Sequence, residues 1–385
     1  MAVRIGSGVS TQPDARVGAI EAAGAAREAL QGAPADLAVV FASGTHLAAP
    51  EATLEGVKEA LMPRHLVGCG AGGVLGAGRE LEEGTAAVVW AAAFQEAQVA
   101  TFHARVTSED GAIEGLPDLP NGSATILLPD PYSFPTDRAL AELRDLAPGV
   151  PVIGGISSAR TLDGSSALFL GEEVVSSGAV GIRLGGVEVL PCVSQGAAPV
   201  GPELTITSAD GHLIHELAGV PALTKVRDVV ATLPSHEGAL VAQGLLVGIV
   251  IEGGKPEYSQ GDFLVRGMLG ADPSTGAIAV GASIEPGQVI QLHARDAESA
   301  DRDLNEALGL RRAALGDRRA AGALCFTCNG RGRDMFGVPD HDARALESRL
   351  GGAPAAGFFA AGEIGPVGGE NFLHGFTATV AIFAS

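Results

Sequence analysis

"GVSTQPDARVGAIEAAGAAREAL", residues 8–30, and "QLHARDAESADRDLNEALGLRRAAL", residues 291–315, share one plan. In each, a short strand runs into an aspartate, Asp14 or Asp296, and then into an amphipathic helix whose first-turn amides that carboxylate can cap. The match continues beyond the helix. An apolar strand ending in small polar residues comes next, "DLAVVFASGTH" at 36–46 and "GALCFTCNGRG" at 322–332. A second helix pattern succeeds it, "PEATLEGVKEALM" or "DHDARALESRLG", and then a glycine-rich strand exit, "HLVGCGAGGVLG" at 65–76 or "APAAGFFAAGEIG" at 353–365. Both units close on a β-rich run, "TAAVVWAAAF" or "FTATVAIF". A reduced third copy lies between them, with "ATILLPDPYSF", "TDRALAELRDLA", "VPVIGGISSA" and "SGAVGIRLGG". Self-similarity of this kind sets the expected architecture. It is a mixed α/β (α+β) fold of two related halves, 1–200 and 201–385, built from repeated strand-helix-strand units. The stretch 187–290 reads instead as short antiparallel strands and turns, with the seam in the Pro/Gly-rich "SQGAAPVGPE".

Composition narrows the function classes. The apolar fraction of 46% suffices for ordinary cores, while 4% aromatic residues and 55 glycines point to cores of Ala, Val, Leu and Ile with many tight turns. A net charge of −20 opposes binding to nucleic acid or an anionic membrane surface. Lysine occurs only at Lys58, Lys225 and Lys255, as GC-rich coding would produce. The opening "MAVRIGSGVSTQPDAR" is no secretory leader, and "GALVAQGLLVGIVI" at 238–251 is too short and glycine-broken to span a bilayer. Four cysteines in so long a chain form no disulfide framework, so the expected location is the cytoplasm.

Several motifs taken in order resemble the FIST family, named for F-box and intracellular signal transduction proteins. "VGCGAGGV", "ELEEGTAAVVWAAAF" and "VPVIGGISSA" are similar to its N-terminal domain, and "VSQGAAPVGPELTITSADGHLIHELAGVPAL" to its junction. "LLVGIVIE", "GDFLVRGMLGAD", "HARDAESADRDL", "CFTCNGRG" and "AGFFAAGEIGP" are similar to its C-terminal domain. The resemblance implies tandem N-terminal and C-terminal domains and small-ligand sensing, with amino acids as a ligand class. It also implies transfer of the signal to a separate protein.

The residues themselves suggest where a ligand would sit. Glu363 stands in an apolar run, where an unpaired buried carboxylate is costly. Arg331 and Arg333 come after Cys328 at the neighbouring strand exit, so an arginine pairs with Glu363, or Glu363 meets a ligand ammonium while an arginine meets its carboxylate. Backbone amides of Gly362 and Gly70, with Cys69, Ser157 and His374, complete the candidate site. Ser158, Ser43 and His46 are read equally well as capping or turn residues.

Rival readings remain. A nucleophilic Cys328 or Cys69 assisted by His374 would make an enzyme, and a site that holds nothing small would make an interaction scaffold. "GCGAGG" matches a dinucleotide fingerprint, but the residues after it carry no helical stripe. Cys325 and Cys328 lie within a strand, and His212-x-x-His215-Glu216 has helical spacing without companion ligands, so neither a metal nor a cofactor is expected.

Overall fold

The computed structural model describes residues 3–107, 111–258 and 261–385, as two compact units. Among the described residues, the first takes those of 1–193, 304–373 and 378–385; the second takes those of 194–303 and 374–377.

In the first unit the three strand-helix-strand passes are real, and each makes a parallel pair. Leu37–Ser43 lies beside His65–Gly70, Ala124–Pro129 beside Val152–Gly155, and Ala320–Cys328 beside Ala355–Ala360. The crossovers are the helices Pro50–Leu61, Thr136–Leu146 and His341–Arg349. The repeat extends to single residues. Val40 faces Gly68, Leu127 faces Gly154, and Cys325 faces Gly357. A β-carbon on those glycines would meet the facing carbonyl oxygen at 1.9, 1.9 and 1.8 Å, so each pass needs a residue with no side chain at the same place.

Each parallel pair belongs to its own mixed sheet, closed by antiparallel strands such as Ala86–Ala93, Ala179–Gly185 and Thr377–Ala384. Strands buried on both faces are near-continuous in apolar residues, as Leu37–Ser43 is. One face of each sheet enters a shared core. Phe41 packs on Phe358 at 4.9 Å between ring centres and Trp90 on Phe383 at 4.8 Å, with Ile126, Leu128 and Ile182 from the third sheet. Outer faces are covered by helices. Ala15–Ala29 buries Ala19, Ala22, Ala23 and Ala26, and Asp14 caps it by accepting from the Val17 amide at 2.9 Å. In the second unit Asp296 likewise accepts from the Ser299 amide at 3.1 Å.

The second unit is an antiparallel seven-stranded sheet whose members Ala197–Asp210 and Leu213–Leu217 also pair, closing it into a barrel around Ile206, Val247, Ile278 and Ile290. It differs from the sequence reading in three respects. Helices Ala222–Thr232 and Ser235–Val241 occupy part of the stretch read as strands and turns. The Pro/Gly-rich 194–203 segment runs largely as strand, its irregularity taken up by a register shift between Val200 and Glu203. The helical spacing read at His212 and His215 is not realised either, since His215 lies on the strand Leu213–Leu217 and His212 on the turn before it.

Candidate functional site at the parallel strand ends

The C-terminal ends of parallel strands are where α/β sheets present ligand-binding groups, because loops rather than side-chain layers come after them. Here the three sheets bring those ends together within the first unit. Ser157 donates its hydroxyl to the Gly70 carbonyl at 2.8 Å, and its amide bonds to the Pro129 carbonyl at 2.9 Å. The Ile156 amide reaches the Gly362 carbonyl at 2.8 Å, and Gly155 lies opposite Glu363. The Asn329 amide bonds to the Ala360 carbonyl at 2.9 Å. Gly70, Ser157, Gly362 and Glu363 therefore meet along one edge, with Cys328 and Arg331 on the strand end beside it. Glu363 is fully buried.

Arg331 corrects one expectation. Its carboxylate partner is Asp342, in the first turn of the His341–Arg349 helix, and not Glu363. Nε and Nη2 hold the two Asp342 oxygens at 2.8 Å each, with both side chains buried. The alternation of the strand explains it. Phe326 and Phe358 point into the shared core, whereas Thr327 points to the helix face and donates to Asp342 at 2.6 Å. Burial alone would push Asp342 up, but the Arg331 guanidinium, with donors from His341 and Thr327, holds it below the usual carboxylate range.

Glu80, on the short strand Arg79–Leu81, completes this cluster. Its Oε1 accepts from the amides of Asp342 at 2.7 Å and Ala343 at 3.0 Å, the place where a helix N-terminus favours negative charge. Burial and the neighbouring Asp342 push its carboxyl up to about 7. Phe336 stacks on His341 at 3.5 Å and lies 5.0 Å from the Arg331 guanidinium. Sequence reading missed Glu80 and Asp342, which sit in the charged runs "RELEEG" and "DHD".

The other named residues take clear positions. Arg333 is exposed, with its amide bonded to Glu82 at 2.9 Å. Cys69 and Cys325 are buried, and burial pushes both thiols up, the wrong direction for a nucleophile. Cys328 is half-buried, its sulfur accepting from the Gly330 amide at 3.4 Å. His374 is buried and belongs to the second unit. His46 is buried with Nε2 on the Gln12 carbonyl at 2.8 Å, and Ser43 bonds the Gly84 carbonyl at 3.0 Å without capping the turn after it, so both tie this strand end to distant segments. After "GCGAGG" comes the hairpin of Val74–Gly76 and Arg79–Leu81, where a dinucleotide fold would have a helix. A polar hollow of about 300 Å³ lined by Leu47, Glu51, Asp163 and Ser166 opens near Gly70, with Leu47 between them.

Two domain families match the chain in tandem. The FIST N domain matches residues 36–220 and the FIST C domain residues 222–366. An uncharacterized protein of Mycobacterium bovis is 46% identical over 382 residues, 99% of each chain. Another, from Mycobacterium tuberculosis, is 46% identical over 384 residues, covering 99% of this chain and all of the relative. The chain belongs to the FIST family, whose domains serve in sensory signal transduction.

Proposed function

We propose that this protein is a cytoplasmic sensor that binds a small polar molecule, of the amino-acid class or similar, and hands its state to a separate signalling protein. The observation that carries the reading is Arg331. Its guanidinium is buried at a strand end, two of its nitrogens are held by Asp342, and Nη1 has no hydrogen-bond partner among the described residues. A buried donor without an acceptor is costly and marks a place where a ligand oxygen gains more than it would in water. In this reading Gly70, Ser157, Gly362 and Glu363 contribute from the strand-end edge, and Cys328 and Arg333 from the turn that carries Arg331. The thiol-enzyme alternative has less support, because burial raises Cys69 when catalysis would need it lowered.

A thermal-shift screen of amino acids, amines, amides and small carboxylates tests the reading. A ligand that binds only the folded state raises Tm with concentration. At least one of these classes is expected to do so. A flat response across all four at millimolar concentration would remove the sensor reading.

A further inference from the structure

The cluster around Asp342 holds two buried polar atoms with no hydrogen-bond partner among the described residues, Arg331 Nη1 and Glu80 Oε2. Arg331 is 3% exposed and Glu80 8%. Both side chains are hydrogen-bonded to Asp342, Arg331 to its carboxylate and Glu80 to its amide, which places the two in one cluster.

Charge decides what kind of molecule. Arg331 and Asp342 cancel one another, so Nη1 calls for an acceptor and not for a second anion. Glu80 is the uncancelled group. Asp342 and Glu82 face it with the same sign, and its own amide bonds to Asp340, whose other oxygen is held by Arg344 at 3.3 Å. His341 is turned to Asp342 through Nδ1 at 2.9 Å, and Cys325 lies within the field of the same groups. Glu80 Oε2 therefore calls for a cationic donor.

We infer that this cluster is a binding site for a molecule carrying an ammonium group and, a few bonds away, a neutral carbonyl: an α-amino amide, or the first residue of a peptide. The ammonium sits on Glu80 Oε2 and the carbonyl oxygen on Arg331 Nη1. Phe336, stacked on His341 over the guanidinium, is the side chain that yields on entry. The inference rests on the sensor reading for Arg331 and sharpens it, because a free amino acid brings a carboxylate to a cluster already rich in anions.

Calorimetric titration of the full chain with glycinamide, glycine and acetamide tests it. Glycinamide is expected to bind, with glycine and acetamide at least about tenfold weaker, the effect of one charged hydrogen bond gained or lost. Glu80→Gln, which keeps the oxygen that caps the helix, is expected to weaken glycinamide by a similar factor. Because the Glu80 carboxyl is pushed up to about 7, binding at neutral pH releases part of a proton, and the heat changes with the ionisation enthalpy of the buffer. A merely structural glutamate would not give that signature. Glycine binding as well as glycinamide, or glycinamide binding without buffer dependence, would overturn the inference while leaving the sensor reading intact. No heat from glycinamide would mean that the two atoms hold an internal water only. If every compound in the wider screen also failed, the sensor reading would fall with it.

Discussion

At Glu80, burial and the adjacent Asp342 hold a proton on the carboxyl that the unfolded chain would release. Its folded pKa of about 7 lies above the ordinary glutamate value, so the native state binds more protons between the two and stability declines as pH rises through that window. Glu80→Gln is therefore expected to melt higher than the parent at pH 8 and to lose that advantage at pH 5, as measured by circular dichroism. Asp342 behaves oppositely. Asp342→Asn strands the Arg331 charge and should cost about 3–5 kcal/mol in urea unfolding, the range for breaking one partner of a buried pair; a loss below about 1 kcal/mol would mean that Arg331 finds another acceptor. These two residues also show how far the site was legible. A glycine-rich strand end singled out Arg331, whereas Asp342 and Glu80 lie in charged runs that look solvated. Burial there is created by the packing of the His341–Arg349 helix on a two-strand hairpin, a long-range event with no local signature.

Among the secondary-structure elements, the parallel passes rest on one glycine each. Gly154→Ala would drive a β-carbon to 1.9 Å from the Leu127 carbonyl oxygen, and the backbone has to move. A loss of at least about 3 kcal/mol is expected, well beyond an ordinary substitution. Gly24 is the control. It lies in the Ala15–Ala29 helix with no atom of the described residues within 4 Å of an added β-carbon, so Gly24→Ala should stabilise by about 1 kcal/mol. Equal effects at the two sites would show that the close approach is not what selects glycine. The strands and crossover helices of these passes were legible because their hydrophobic periods repeat along the chain. The Ser235–Val241 helix was not, having no buried residue and hence no apolar stripe to read. The Ala197–Asp210 strand was hidden by Pro199, Gly201 and Pro202, which an irregular register admits.

For the whole molecule, a net charge of −20 makes self-repulsion the dominant long-range term. Raising sodium chloride from about 20 to about 200 mM is expected to raise Tm by screening it, since exposed pairs such as Arg16–Glu59 contribute little in return. A falling Tm would show that attractive surface pairs outweigh the repulsion. The repeat plan made the first unit's internal order readable from the sequence, but the closing of the central strands into a barrel depends on pairings that no local period encodes. One contact has a consequence for biosynthesis. Trp90 and its ring partner Phe383 lie roughly three hundred residues apart along the chain. At roughly 5–20 residues per second the ribosome leaves that indole uncovered for on the order of tens of seconds. During that interval the nascent chain presents a broad apolar surface that chaperones are suited to shield.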